Sequence, residues 1–186
     1  MPRPKTISDE DVLAAALEVL ADKGQNFTLT DLANRIGLSR ATLIQRFGDR
    51  EAILLRIAAY EVELTHEWLE GIEIVPGPDG LWKFLEIIVG SMGEGDGFSA
   101  RVTLAALEAQ NTALREFARE RYALVQAAIA ARLPAGPNRI RLAEHVHTTI
   151  AGASMQWVVS DRAMGLSDFV LGQLRWTLKH LKSDFT

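Results

Sequence analysis

The stretch from Thr28 to Phe47, TLTDLANRIGLSRATLIQRF, decides how the N-terminal part of the chain folds. Thr28 and Ser39 are residue types that cap helix N-termini, and each begins a short segment with helical spacing of apolar residues. Only residues 37–39 separate the two segments, which is too few for anything but a sharp turn. The stretch therefore predicts a helix-turn-helix.

Small residues and apolar positions predict how the two helices of this motif pack. Ala33 lets the second helix cross close to the first, and Gly37 can adopt the positive φ that the turn needs. With Leu43 and Phe47 facing inward, the residues that point outward are Arg40, Ala41, Ile44 and Gln45. Such a helix presents its N-terminal part to the major groove of DNA, but a tight hairpin inside a helical bundle would show the same pattern.

Helical patterns continue along the whole chain, whereas the alternation expected of strands is weak everywhere. The spacing of caps, glycines and apolar residues predicts about nine helices, so the expected fold class is all-α. The 186 residues include no cysteine, which excludes disulfides, thiolate zinc sites and cysteine nucleophiles. Because no apolar run approaches the roughly 20 residues of a transmembrane helix, we expect a cytoplasmic protein with no membrane partner.

The distribution of charge is more informative than the net charge of −4. Residues 1–60 hold eight basic and eight acidic side chains, whereas the remainder holds 12 basic and 16 acidic ones. Between residues 28 and 50 there are four arginines and two aspartates. A locally cationic element on an acidic body is what we expect of a protein that contacts phosphate at one end only.

Three segments together resemble the N-terminal domain of the TetR family of transcriptional repressors. They are residues 28–33 (TLTDLA), 37–43 (GLSRATL) and 47–54 (FGDREAIL), and the resemblance extends over about residues 7–55. It implies a three-helix DNA-binding domain over residues 1–50 and a helical ligand-binding and dimerisation domain over residues 51–186. A fourth helix, starting at about residue 50, would link the two.

The resemblance also implies which residues contact DNA. Backbone contacts are expected from Thr28, Thr42 and Arg50, with Arg46 able to contact either backbone or bases. The residues expected nearest the bases are Thr30, Arg40, Ala41, Ile44 and Gln45. Ser39, the predicted N-cap of the helix that begins at Arg40, is included with them. Two positions depart from the family pattern, which usually has tyrosine in place of Ile44 and lysine in place of Arg50. Arg50 keeps the charge, but Ile44 can offer only an apolar contact, so the pattern of base reading stays open.

The resemblance implies a homodimer, in which the last two long helices of each subunit form a four-helix bundle. Apolar lines on residues 138–162 and 167–182 agree with this expectation. The expected interface residues are Ile150, Gly152, Ala153, Trp157, Val170, Leu174 and Leu178. A dimer places its two recognition helices about 34 Å apart, so the operator should be a nearly palindromic double-stranded DNA site.

Aromatic residues are the candidates for a pocket that binds an unknown small molecule, which we expect to be largely apolar. They are Trp68, Trp82, Phe84, Phe98, Tyr122 and Trp157. Each of them can also be explained as a residue of the hydrophobic core. If there is a ligand, its binding should tilt the fourth helix and so change the separation of the two recognition helices.

No pattern points to catalysis, a metal site or a cofactor. His145 and His147 are two residues apart on one helix and so lie on different faces, and the 93–97 loop lacks the lysine of a phosphate-binding loop. We therefore expect a non-enzymatic regulator, a homodimeric repressor released by its ligand. Two alternatives stay open: an activator or ligand-independent repressor of the same family, or a helical enzyme or binding module with a fortuitous hairpin.

Overall fold

The computed structural model describes residues 7–93 and 98–180, with side chains for residues 7–93 and 101–179. Within these ranges the chain forms nine α-helices and one short 3₁₀ turn, with no strand, which confirms the all-α class. The helices are α1 Asp9–Lys23, α2 Leu29–Ile36, α3 Arg40–Phe47, α4 Arg50–Glu70, α5 Pro78–Gly90, α6 Phe98–Gln110, α7 Thr112–Ala130, α8 Arg139–Val158 and α9 Leu166–His180. No helix in the described ranges is both long and apolar enough to span a bilayer.

Local hydrogen bonds set the start of the first two helices. The Thr28 N–H donates to Asp31 Oδ2 at 2.9 Å and the Asp31 N–H donates to Thr28 Oγ1 at 3.2 Å, a reciprocal capping box. Ser8 and Asp11 form the same arrangement at the start of α1. Gly37 has a φ of 71° at the end of α2, so the turn uses the backbone conformation predicted for it.

Two helices differ in extent from the apolar lines predicted for them. Helix α8 ends at Val158, four residues before residue 162. Helix α9 begins at Leu166, one residue before residue 167. Helix α5 begins at Pro78, a residue type favoured at the first helical position because the backbone nitrogen there has no partner within the helix.

The chain forms two compact units, and neither is continuous in sequence. Among the described residues, the first comprises 7–64 and 99–120, and the second comprises 65–93, 98 and 121–180. The first unit extends beyond the predicted 1–50 domain, because Leu104 of α6 and Leu114 of α7 are buried in the same core as Val12, Leu32 and Ile53. The helix-turn-helix is thus packed on helices that follow it much later in the chain.

In the second unit, α8 packs against α9 and α5 also packs against α9. The side chains that fill this unit from α8 include Val146, Ile150 and Trp157, and those from α9 include Val170 and Leu174. Burial of these apolar side chains is the main stabilising contribution to the unit.

Candidate DNA interface

The outer face of α3 is solvent-exposed, as the sequence predicts. Leu43 and Phe47 are buried in the core of the first unit. The exposed residues are Ser39, Arg40, Ala41, Ile44 and Gln45. Ile44 is 41% exposed although it is a large apolar residue, so it has surface to offer to a partner.

The start of α3 is held by a pair of hydroxyl groups. Ser39 Oγ accepts the Thr42 N–H at 3.0 Å, and the two side-chain oxygens are 2.8 Å apart. Ser39 is therefore the N-cap of α3, as predicted. Thr42 lies half-buried next to the exposed face, where its hydroxyl fixes the first turn of the helix.

The two threonines expected at DNA lie at the start of α2, and both are exposed. Thr28 Oγ1 donates to Asp31 Oδ2 at 2.6 Å. This bond, together with the Thr28 N–H, lowers the pKa of the Asp31 carboxyl, which therefore stays ionised. Thr30 lies in the first turn of the same helix, near backbone N–H groups that are free to meet a phosphate.

Arg50 has a structural role that the sequence does not reveal. Its Nε donates to the Phe27 carbonyl at 2.9 Å and its Nη2 donates to the Gln25 carbonyl at 2.6 Å. Its guanidinium also lies 4.9 Å from the centre of the Phe27 ring. Arg50 thus ties the start of α4 to the segment before α2, and only its remaining N–H groups are available to a phosphate.

Arg46 points back toward α1 and does not share the orientation of the exposed α3 residues. Its Nη2 forms an ion pair with Asp9 Oδ1, and Arg56 of α4 lies 3.6 Å from the other oxygen of the same carboxylate. The guanidiniums of Arg46 and Arg56 lie 5.2 and 5.0 Å from the centre of the Phe47 ring. Arg46 is therefore engaged within the first unit.

The first three helices and the start of the fourth match a known family. Residues 12–57 match the family described as bacterial regulatory proteins, tetR family. This part of the chain is similar to the N-terminal domain of the TetR family. The matched residues contain the whole helix-turn-helix and all ten residues predicted to contact DNA.

Solved structures extend the likeness to the whole chain. A transcriptional regulator from Saccharomonospora viridis in complex with choline is 20% identical, with a TM-score of 0.74, and the alignment covers 91% of this chain and 94% of that one. A transcriptional regulator from Rhodococcus sp. Rha1 is 18% identical, with a TM-score of 0.78 and coverage of 93% and 97%. The multidrug binding protein EbrR, complexed with imidazole, is 17% identical, with a TM-score of 0.66 and coverage of 95% and 96%. At these identities the likeness establishes the fold. No curated protein is similar enough in sequence to match the chain.

The aromatic residues predicted to line a pocket occupy different environments in the structure. Trp82 is half-buried, and its Nε1 donates to Glu86 at 2.6 Å. Trp157 is buried and donates to the Met164 carbonyl at 2.7 Å. Trp68 and Tyr122 are exposed. The centroids of the Tyr122 and His147 rings lie 4.8 Å apart in a T-shaped arrangement. The side chain of Phe98 lies outside the described residues.

Phe84 is the member of the predicted set that borders a cleft in the second unit. The cleft has a volume of about 150 Å³. Its lining residues are Ile72, Glu73, Val75, Gly80, Lys83, Phe84 and Ile87. It is small and largely apolar, with one cationic and one acidic side chain at its edge.

The residues predicted for a dimer interface are mostly buried within the single chain. The side chains of Ile150, Ala153, Trp157, Val170 and Leu174 lie in the core of the second unit, on α8 and α9. Gly152 is exposed and Leu178 is half-buried. The predicted dimer interface stays a prediction.

Proposed function

We propose that this TetR-family chain is a homodimeric transcriptional regulator that represses from a nearly palindromic DNA operator and is released by a small molecule. The observation that carries the proposal is the exposed face of α3, formed by Arg40, Ala41, Ile44 and Gln45. No hydrogen bond or ion pair within the described part of the chain engages the side chains of Arg40 and Gln45. The proposal assigns no enzymatic activity to the chain.

The residue types on this face suit base reading in the major groove. Arg40 can donate two hydrogen bonds to guanine, and Gln45 can both donate to and accept from adenine. Ile44 offers only apolar surface, which fits the methyl group of thymine. The face therefore favours a half-site in which these three contacts lie close together.

Phosphate contacts are assigned to the flanks of this face. Thr28 lies at the N-terminus of α2, where backbone N–H groups and the helix dipole attract an anion, and Thr30 in the same turn is assigned to the bases. Thr42 and the remaining N–H groups of Arg50 are also assigned to phosphates, and Arg46 can contact either phosphate or base. Because such contacts release condensed counterions, binding should weaken steeply as the salt concentration rises.

The dimer is proposed to form through the outer surfaces of α8 and α9, whose inner surfaces are already buried. Gly152 and Met155 lie on the exposed side of α8, and Val159, the residue after its last one, is 83% exposed. Trp176 of α9 is 65% exposed. Exposed apolar residues on two neighbouring helices are typical of an interface between copies.

The releasing ligand is proposed to be a small, largely apolar molecule that binds in the second unit. Two solved structures with the same fold hold small organic molecules, choline and imidazole. The cleft beside Phe84 is the candidate site on this chain. A ligand there can act only if it binds the operator-competent and operator-incompetent states with different affinities.

Selection of bound sites from random double-stranded DNA at a defined salt concentration tests the proposal. We expect enrichment of a two-fold symmetric site, with half-site centres about 10 base pairs or a multiple of one helical turn apart. Failure to enrich any sequence, with no binding to duplex DNA at low salt, would contradict it.

A further inference from the structure

One carboxylate of the first unit lies between two arginines. Asp9, in the first turn of α1, pairs through Oδ1 with Arg46 of α3 and lies 3.6 Å through Oδ2 from Arg56 of α4. Both guanidiniums also pack on the Phe47 ring. Two cations on separate helices thus converge on a single anion next to the exposed face of α3.

The Asp9 carboxylate contributes little to the stability of the fold. The Asp9 side chain is 52% exposed, and ion pairs at such exposed positions contribute little to stability. The first turn of α1 already has two other acidic residues, Glu10 and Asp11, and Asp11 forms the capping box.

The arrangement has the geometry of a phosphate site that is occupied by the protein's own carboxylate. A guanidinium binds carboxylates and phosphates through the same fork of N–H groups. While Asp9 is bound, the pair of arginines carries a net charge of one instead of two. Arg46 belongs to the helix that carries the proposed reading face, so a DNA phosphate and Asp9 would compete for it.

We propose that Asp9 acts as an internal substitute for a DNA phosphate and weakens DNA binding, an inference that rests on the proposed function. By engaging Arg46 and Arg56, Asp9 lowers the affinity for any duplex, whatever its sequence. Base contacts from the outer face of α3 do not involve this cluster and are unaffected. Asp9 thereby sets the overall strength of DNA binding without changing which sequence is preferred.

The test measures binding of a random-sequence duplex and of a selected operator over a range of salt concentrations. The Asp9→Asn variant keeps nearly the same side-chain shape and should raise the affinity for the random duplex about tenfold. Its affinity should also fall more steeply with salt concentration, by the slope that corresponds to one to two additional phosphate contacts. Operator affinity should rise by a similar factor, because a phosphate contact is common to both duplexes. The matched control is Glu10→Gln, which removes the neighbouring exposed charge and should change random-duplex affinity less than twofold.

A third variant shows whether the gain passes through the two arginines. In the Arg46→Ala/Arg56→Ala background, Asp9→Asn should produce no gain beyond that of Glu10→Gln. Helical circular dichroism of each variant should match the wild type, since Asn and Gln keep the helix. Equal effects of Asp9→Asn and Glu10→Gln, or a gain that persists without the arginines, would overturn the inference while leaving the proposed function intact. No binding by the wild-type chain would instead contradict the proposed function itself.

Discussion

The guanidinium of Arg132 lies 3.7 Å from the centre of the Phe84 ring, and Arg132 is only 2% exposed. Its Nη1 donates to the Ala128 carbonyl at 2.7 Å, and its Nη2 donates to the Glu73 carbonyl at 2.6 Å. These acceptors lie at the end of α7 and in the segment after α4. Burial lowers the pKa of Arg132, but carbonyl dipoles at a helix C-terminus stabilise the positive charge.

Replacing Arg132 by methionine should destabilise the protein. The substitution keeps much of the apolar stem but leaves the carbonyls without their donors, and a buried unsatisfied group costs about 1–3 kcal/mol. We therefore expect Arg132→Met to lower the free energy of unfolding by about 3 kcal/mol in denaturant titrations. Arg141→Met, at an exposed position of α8, is the control and should stay within about 0.5 kcal/mol of the wild type. If Arg132→Met lowers the free energy of unfolding no more than Arg141→Met does, the structural role of the buried guanidinium is contradicted.

His147 should make stability depend on pH. Burial, with a smaller effect of the nearby Arg121 charge, lowers its pKa from 6.5 to about 4. The folded protein therefore keeps this imidazole neutral at a pH where the unfolded chain takes up a proton. The free energy of unfolding should therefore be highest above pH 6.5, with respect to this group. It should decrease by up to about 3 kcal/mol as the pH falls toward 4.

Unfolding measured between pH 7 and pH 4 tests this expectation. His147→Gln should flatten the pH dependence in this window, whereas His145→Gln, at an exposed position of the same helix, should leave it unchanged. Identical pH profiles for the wild type and His147→Gln would show that the imidazole is not held neutral.

The cap of α3 should stabilise the first unit. Ser39→Ala removes the oxygen that accepts the Thr42 N–H at 3.0 Å, and we expect a loss of about 1 kcal/mol. Ser39→Asn keeps an acceptor at the same position and should lose much less. Thermal or chemical unfolding of the two variants measures the difference, and equal stabilities would mean that the cap contributes nothing.

The N-terminal part of the fold could be predicted from the sequence because its determinants are local. Thr28 and Asp31, or Ser8 and Asp11, are three residues apart, so a capping box can be seen in the sequence itself. The exposed face of α3 follows from the positions of Leu43 and Phe47 on so short a helix. The role of Arg46 could not be predicted, because its partner Asp9 is 37 positions away.

The packing of the C-terminal helices could not be predicted in the same way, because periodicity shows which residues share a face but not what covers that face. Tyr122 shares a helical line with Leu114 and Ile129, yet it is exposed whereas they are buried. Ile150 and Val170 lie on the predicted apolar lines, and both are buried within the single chain. Arg132 carries no sequence signal of burial, since its acceptor at Glu73 lies 59 positions away.

The proposed dimer should depend on the outer surface of α8. Met155→Glu places a charge where the partner subunit would bury it, and desolvating that charge costs several kcal/mol. We expect sedimentation velocity to show mainly monomer at micromolar concentration, with helical content unchanged. Ile74→Glu, at an exposed position after α4, is the matched control and should remain dimeric. A dimer that survives Met155→Glu, or a wild type that is monomeric, would contradict this interface.

The measurement that tests the central claim most directly is an equilibrium titration of the selected operator with Arg40→Glu. Arg40 lies on the exposed face of α3, and loss of a base contact with reversal of its charge should cost about 3 kcal/mol, or roughly a hundredfold in affinity. Arg101→Glu makes the same charge change at an exposed position of α6 and should bind within about threefold of the wild type. Equal losses for the two variants, or none for Arg40→Glu, would show that the outer face of α3 does not read DNA.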